Sequence, residues 1–333
     1  MKKFFKKFIV VVGMLAMFAP LLPAQALTIS PPYTDFRLNP GDTVLDVIKL
    51  YNEDPFPITF HPQIMSFTHL DNDESGTPSF YPPNERRDGT GLGQWITLTD
   101  KARSYTVQPS ERANIPITIT IPKNAQPGAH YGAVLMASGS EEQKGGQVGV
   151  TSKLGSLIFV NVSGEIDENA RIAEFGFKEK KLWYNYRPVD FFLRFENNGN
   201  TNLRPAGNLF IKNWYGRQVA SVKVNDPVGS TLPKSTRKYE FGWSSGQKSD
   251  KKGFVAEVLK EWHGFAFGKY KATLFLNYGS KNQILSQERV FYVWPWRLML
   301  IALVLLLVVL FVLRNMAKSH DRTVINRYER RRK

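Results

Sequence analysis

The sequence predicts an all-β fold class: two tandem immunoglobulin-like β-sandwiches followed by a single transmembrane α-helix. Three observations carry this prediction. Between residues 27 and 293, short runs rich in Val, Ile, Thr, Phe and Tyr alternate with Pro, Gly, Asn and Asp, and we find no long stretch with apolar residues at helical spacing. The same order of landmarks occurs twice in this region. A run of sixteen residues without a polar side chain, 298–313, lies near the C-terminus.

The first element is a predicted secretion signal, residues 1–26. Lys2, Lys3, Lys6 and Lys7 precede the apolar run 8–19, and Ala24-Gln25-Ala26 has the small-x-small pattern of a cleavage site. We therefore expect the mature chain to start at Leu27.

Two strand-rich domains follow. In the first, residues 27–166, the predicted strands are 44–51, 57–67, 95–99, 115–121, 131–137 and 154–162. In the second, residues 167–293, they are 173–178, 189–196, 208–213, 219–224, 237–243, 270–278 and 288–292. Short strands separated by turn signals are typical of antiparallel sandwiches.

The internal repeat supports two sandwiches rather than one large sheet. Each copy has an alternating strand that ends in Asn, at Asn52 and Asn197, and later a Gly that opens a strand, at Gly128 and Gly268. Between them, Gln108-Pro109-Ser110 corresponds to Pro233-Lys234-Ser235. Conserved order at similar spacing indicates tandem copies of one domain, with a boundary near the polar stretch 167–171.

The last elements are a transmembrane helix at 294–313 and a basic tail at 314–333. Trp294, Trp296 and Arg297 lie at one rim of the apolar run and Arg314 at the other, which gives the length of about 20 residues that crosses hydrocarbon. The tail holds eight Lys/Arg against two acids. We therefore expect a single-pass protein of the cell membrane with an extracellular ectodomain and a cytoplasmic C-terminus. A buried helix of a soluble domain is the alternative.

Charge and cysteine content narrow the function classes. Of the net charge of +15, the signal contributes +4 and the tail +6, which leaves +5 for the exported part. A nucleic-acid partner is not expected, because binding usually needs a clustered basic face. The chain has no cysteine, so thiol catalysis and thiolate metal sites are excluded.

Enzymatic motifs lack the context that they need. Gly242-Trp243-Ser244-Ser245-Gly246 fits G-x-S-x-G, but a polar loop follows it where hydrolases have a helix. Ser245 and Lys248 form S-x-x-K with the same deficiency. We predict a non-enzymatic protein without a cofactor, and keep a hydrolase that uses Ser244 as an alternative.

The segment 71–93 is the candidate ligand loop. Asp71 and Asp73 resemble the start of a calcium loop, but Pro82 stands where an EF-hand needs a bidentate Glu, so another calcium loop and a plain hairpin tip both stay open. Phe80, Tyr81 and the nearby Trp95 could stack on sugar rings, although core packing is the commoner role of such residues. The stretch 89–93 is expected to be a flexible connection.

Several motifs of the first domain resemble a known family, the WxL-interacting cell-surface proteins of Gram-positive bacteria. The likeness lies in Pro31-Pro32, the strand ending at Asn52, Ile121-Pro122, Ala125-Gln126-Pro127-Gly128, Tyr131-Gly132 and the strand 158–164. It implies attachment to the cell envelope, with a first domain that binds peptidoglycan and a second that contacts partner surface proteins or host ligands. The first domain is also similar to the Ig-like modules of pilus chaperones.

Together these observations predict a membrane-anchored envelope protein that binds cell-wall glycan, other surface proteins, or both, through loops and sheet edges. The expected partners are peptidoglycan or another cell-surface protein, in a membrane-embedded context without nucleic acid. The alternative is a chaperone-like assembly factor for surface fibres or secreted proteins.

Overall fold

The computed structural model describes residues 27–70, 73–85, 89–138, 153–244 and 252–330, with side chains up to Met316. The predicted signal, Asp71 and the last three residues lie outside this part. The fold is all-β, with two Ig-like sandwiches and one C-terminal apolar helix. The chain divides into two compact units. The first comprises the residues up to Phe67 together with Phe80–Gln126 and His130–Val162, and the second comprises Thr68–Ser79, Pro127–Ala129 and the residues from Ser163 onward.

The first unit contains ten strands in two sheets, ordered β1-β3-β8-β6 and β2-β10-β9-β4-β5, with β7 also paired to β4. Strand β2 runs parallel to β10. The strands are β1 Leu27–Ser30, β2 Tyr33–Leu38, β3 Thr43–Asn52, β4 Ile58–His69, β5 Pro78–Tyr81, β6 Ile96–Leu98, β7 Tyr105–Val107, β8 Arg112–Thr120, β9 Gly128–Ser138 and β10 Lys153–Val162.

The core of the first unit follows the two-residue period of its strands. Ile115, Ile117 and Ile119 of β8 are fully buried, and they pack with Ile158 and Val160 of β10. Alternate side chains of a strand point to opposite faces of a sheet, so this apolar set lies between the two sheets. The burial of these side chains stabilises the sandwich without a disulfide.

The second unit contains eight strands in two sheets, ordered β11-β13-β16 and β12-β18-β17-β14-β15. Phe191 and Phe291 pack edge to face in its core, with ring centroids 5.8 Å apart. The segment Thr68–Ser79 also belongs to this unit. Its strands are β11 Ala170–Phe177, β12 Trp183–Tyr184, β13 Val189–Asn197, β14 Ala206–Asn213, β15 Gln218–Val224, β16 Ser235–Trp243, β17 Gly268–Tyr278 and β18 Gln283–Val293.

The predicted repeat is confirmed at the level of single hydrogen bonds. The buried Asn52 side chain donates to Phe56 O (2.9 Å) and Val107 O (3.0 Å) and accepts from Asp54 N (2.9 Å). Asn197 has the equivalent set, with Thr201 O (2.8 Å), Thr231 O (3.0 Å) and Gly199 N (3.0 Å). In each unit one side chain therefore holds a turn and ties it to a second segment of chain.

The other landmarks of the repeat also share backbone geometry. Ser110 and Lys234 have left-handed φ values of 60° and 55°, so the structure matches Ser110 with Lys234, one residue before the predicted counterpart Ser235. Gly128 and Gly268 have φ values of 115° and 101°. A φ near 110° is readily adopted only by glycine, which explains why both closing landmarks are glycines.

All thirteen predicted strands are present, and the region 27–293 also contains one short helix that was not predicted. Helix α1, Phe254–His263, lies between β16 and β17. Its three turns follow the polar stretch 244–252 of the sequence and are too short to produce a long periodic pattern. Five strands of two to six residues, β1, β2, β5, β7 and β12, were also not predicted, because so few residues give little alternation.

Helix α2, Trp296–Arg330, contains the predicted apolar span. Its residues Trp296–Met316 have a mean hydropathy of 2.9 and are the one segment of the described chain long and apolar enough to cross a membrane as a helix. Trp294 and Trp296 are partly exposed beside the start of the helix, and Arg314 is exposed further along it. Arg297 instead turns back towards α1 and forms an ion pair with Glu261 (3.0 Å).

Candidate functional sites

The second unit has a groove between two sheet edges. Strands β15 and β16 are the last strands of their respective sheets, and a depression of about 620 Å³ lies between them. We call it the edge groove. Its lining includes Ala220, Val222, Phe241 and Trp243, with Lys223 and Glu240 among the polar groups. Ala220 and Val222 are partly buried and point inward from β15, whereas Val219 is exposed and does not line the groove.

The edge of β16 already receives one added segment of chain. Lys238 N donates to Glu74 O at 2.7 Å, and the Arg194 guanidinium binds the Glu74 carboxylate, with Nε 2.8 Å from Oε2. Hydrogen bonds to Glu74 and Glu174 raise the pKa of Arg194. In the first half of this edge, Lys238 therefore makes one backbone hydrogen bond to the segment Thr68–Ser79, and the second half, 240–244, lines the edge groove.

Charged groups stand beside the open half of the edge. Glu240 accepts hydrogen bonds from Lys178 and from Lys238 (2.8 Å), and these bonds lower the pKa of its carboxyl group. Lys223 lies across the groove on β15. The groove therefore combines apolar side chains from the sandwich interior with a rim that carries both charges.

The first unit contains a second candidate, which we call the Trp95 pocket. It has a volume of about 350 Å³, and its lining includes Trp95, His130, Glu85, Gln94, Asn124 and Gln126. The rings of Trp95 and His130 are in contact, with centroids 4.4 Å apart, and His130 Nε2 lies 2.9 Å from Gln126 O. An aromatic ring beside amide and carboxylate groups is a surface suited to a polar ring such as a sugar.

The glycine-rich stretch beside this pocket is packed, which corrects the prediction of a flexible connection. Leu92 is buried and donates its N–H to Tyr131 O at 2.9 Å. A Cβ atom on Gly93 would lie 2.9 Å from Ser66 Oγ, the atom that accepts the Gly93 N–H at 3.0 Å. These glycines let the backbone lie directly on β4 and set the position of Trp95.

The three predicted ligand aromatics do not share one surface. Trp95 lines the pocket and is half-buried. Tyr81 also reaches the pocket but is almost fully buried, so its ring is part of the interior rather than an exposed stacking platform. Phe80 is exposed and contacts Phe67, with ring centroids 5.9 Å apart. His130 was not predicted, because its contact with Trp95 depends on long-range pairing that has no local sequence signal.

The calcium prediction is only partly within the described chain. The Asp73 carboxylate accepts from Ser75 N (2.9 Å) and Ser75 Oγ (2.6 Å), and these bonds lower the pKa of Asp73. Asp71 lies outside the described residues, among which no group of three or more His, Asp or Glu is arranged to hold a metal ion. Calcium binding at Asp71 and Asp73 stays a prediction.

Ser244, the serine of the hydrolase alternative, follows the end of β16. Its backbone oxygen accepts from Arg187 Nη1 at 3.3 Å, and helix α1 begins ten residues later, at Phe254. Ser245 and Lys248 lie outside the described residues. The absence of enzymatic activity stays a prediction.

Comparison with known proteins gives similarity to solved structures alone. No family model and no curated protein matches the sequence. The class 5 fimbriae chaperone CfaA is 11% identical over 79% of this chain and 99% of its own, with a TM-score of 0.35. The Pseudomonas aeruginosa chaperone CupB2 is 10% identical over 79% of this chain and 100% of its own, with a TM-score of 0.34.

A third similar structure is the CsuC-CsuE chaperone-tip adhesion subunit pre-assembly complex of Acinetobacter baumannii, at 14% identity over 64% of this chain and 89% of that chain, with a TM-score of 0.32. At these values the ligands of those proteins are not transferred to this chain. Its own contacts must indicate what it binds.

Proposed function

We propose that this chain is a non-enzymatic, membrane-anchored protein of the cell envelope that binds an extended segment of another protein in the edge groove. The observation that supports this is the hydrogen bond from Lys238 N to Glu74 O, because it shows that the free edge of β16, which continues into the groove, can bond to another stretch of main chain. An edge strand offers main-chain groups to a further strand, which supplies affinity for any extended peptide.

The groove also offers a basis for selectivity. Side chains of an added strand alternate in direction, so every second one would point towards Phe241, Trp243 and Val222. The positions of the added strand that face these side chains favour apolar residues. The positions between them lie near Lys223 and Glu240 at the rim and favour an acidic residue beside Lys223 and a basic residue beside Glu240. The partner segment is therefore an alternating apolar and polar strand.

The predicted secretion signal and helix α2 support the placement in the envelope. In this proposal α2 crosses the membrane, and both sandwiches stand outside it. Two finer functions fit the same site: stable attachment of another surface protein, and chaperone-like holding of subunits before assembly. Membership in the WxL-interacting family would favour the first and is proposed here on the sequence resemblance.

Site-specific crosslinking tests the groove. A photo-crosslinking residue replaces Ala220, which points into the groove, or Val219, its exposed neighbour, in the full chain expressed in its own cells. We expect a discrete protein adduct from position 220 alone, and at least tenfold less of that partner in purified Ala220→Arg than in Val219→Arg. Equal adducts from both positions, or none, would contradict the proposal.

Two further measurements complete this test. Circular dichroism verifies that Ala220→Arg is folded, and Ser244→Trp blocks the exposed end of the groove with less disturbance of the core. A pulse-chase of the adduct separates the two finer functions, because a chaperone-like complex disappears as its subunit is assembled whereas an attachment complex persists.

The Trp95 pocket supports a second candidate function, binding of cell-wall glycan by the first unit. The full chain in detergent would be sedimented with insoluble peptidoglycan, and Trp95→Ala should weaken binding about tenfold or more, the value of one stacked ring. Trp214→Ala, which removes an exposed ring of the second unit, serves as the control. Equal binding by both variants would contradict a glycan site at Trp95.

A further inference from the structure

The polar face of helix α1 is turned towards the protein and its apolar face towards solvent, the reverse of the usual arrangement in a surface helix of a soluble domain. Its polar residues Glu257, Lys260 and Glu261 face the protein, with Glu261 fully buried. Its apolar residues Val255, Leu259 and Trp262 face outward and are 71%, 51% and 68% exposed. These three recur at i, i+4 and i+7 and so form one continuous stripe.

Polar contacts fix α1 to the start of α2. Glu261 Oε1 binds Arg297 Nη1 at 3.0 Å, and Glu261 Oε2 accepts the backbone N–H of Leu298 at 2.9 Å. Glu257 adds contacts with Lys260 (2.9 Å) and Arg297 (3.6 Å). The exposed stripe is therefore held beside the point at which the apolar helix begins.

The same end of the second unit carries other exposed aromatic residues. In the sheet, Gly268 pairs with Val293, Tyr270 with Asn213, and Tyr292 with Trp183, so the segments next to these positions converge where β18 leads to α2. The exposed rings at this end are Trp183, Trp214, Tyr215, Phe265, Phe267 and Trp294. Phe267 and Trp294 are in contact, with ring centroids 4.9 Å apart.

We propose that this end of the second unit, which we call the collar, rests in the interfacial layer of a lipid bilayer. The collar comprises the stripe of α1 and these six aromatic residues. The inference rests on the proposed function, in which α2 spans the membrane. A bilayer is the occupant because the apolar surface is continuous with that helix, whose residues are exposed along Trp296–Met316.

The chemistry of the collar suits an interface better than a hydrocarbon core. Trp and Tyr rings combine an apolar body with a polar group and are enriched at the headgroup level of membranes. A helix with one apolar face binds in the plane of the interface, with that face about 5–10 Å deep. In this arrangement α1 lies along the membrane surface and α2 enters it beside α1, so the second unit has a fixed orientation.

The test uses the absence of cysteine in the chain, which allows a single probe to be placed anywhere. A nitrobenzoxadiazole probe is attached to Val255→Cys in the collar, or to Ile284→Cys at the opposite end of β18, where the side chain is similarly exposed at 69%. The full-length variants are reconstituted in phosphatidylcholine and phosphatidylglycerol vesicles, and quenching by acyl-chain nitroxide and by aqueous iodide is measured.

We expect at least threefold stronger nitroxide quenching at position 255 than at 284, and the reverse order for iodide. Equal quenching at both positions would overturn the collar. Protection of position 255 from iodide without nitroxide quenching would also overturn it, because a second copy of the chain would then cover the stripe.

A third probe separates this inference from the proposed membrane anchor. Leu305→Cys lies within the apolar part of α2. If nitroxide quenches position 305 but not 255, the anchor stands and the collar is wrong. If it quenches neither, α2 does not span the bilayer, and the membrane part of the proposed function fails as well.

Discussion

Replacement of Asn197 by Ala should destabilise the second unit by about 2–4 kcal/mol. The Asn197 side chain is fully buried and makes three hydrogen bonds, to Thr201 O, Thr231 O and Gly199 N. Each such bond contributes about 0.5–1.5 kcal/mol net, and a buried partner left unpaired costs more. At roughly 4 °C per kcal/mol for a domain of this size, the melting temperature should fall by about 8–16 °C.

Differential scanning calorimetry of the purified full chain in detergent measures this change. Asn202→Ala is the matched control, because Asn202 is close in sequence but only partly buried, with one bond to Ser230 Oγ at 3.2 Å. It should change stability by less than about 1 kcal/mol. A loss below about 1 kcal/mol for Asn197→Ala would refute the reasoning that this amide stabilises the turn and the segment at Thr231.

Three further predictions concern single contacts of the second unit. Gly199→Ala should lower the free energy of unfolding by about 3 kcal/mol or more, measured by thermal unfolding, because its Cβ would lie 2.1 Å from Asp167 O. Gly216→Ala is the control: there is open space around it, so its left-handed φ alone should lower the free energy of unfolding by about 1 kcal/mol or less. Glu261→Ala leaves Arg297 without its nearest partner, so amide hydrogen exchange in α1 should accelerate about tenfold or more, and Glu288→Ala on the surface should not have this effect. The hydrogen bond from Lys260, together with the charges of Lys260 and Arg297, lowers the pKa of Glu257 below 4.5. The Glu257 carboxylate therefore stabilises the fold above pH 4.5, and this contribution is lost as the pH falls through the lowered pKa. Melting curves between pH 3 and 6 should show a weaker pH dependence for Glu257→Gln than for the unchanged chain.

Local sequence patterns were sufficient for thirteen of the eighteen described strands and for the repeat. The strands of the two cores alternate strongly, as in β8 with Ile115, Ile117 and Ile119. The landmarks of the repeat were recognisable because each has a local structural role: a buried Asn stabilises a turn by hydrogen bonds, or a Gly adopts a positive φ. Such roles depend on a few neighbouring residues and therefore leave a signal in the sequence.

The candidate sites depend on pairing between distant segments, which the sequence does not display. The edge groove exists because β15 and β16 happen to end their sheets, and the residue that makes a backbone hydrogen bond to the β16 edge, Glu74, is distant in sequence. Trp95 was found from its place near a long loop, but its partner His130 was not. Helix α1 did leave a signal, since Val255, Leu259 and Trp262 have helical spacing between Gly253 and Gly264. It was missed because the run is short.

In the proposed arrangement, with the collar in the interfacial layer, the lengths of β17 and β16 set two heights above the bilayer. Eleven residues at about 3.3 Å each make the second unit about 35 Å tall from the collar to the turn after Tyr278. Glu240 lies three residues from Trp243, which pairs with Val189 at the lower end, so the open half of the β16 edge is raised by only about 10 Å. In that arrangement, a segment bound there would lie next to the lipid headgroups, within reach of chains that have just emerged from the membrane.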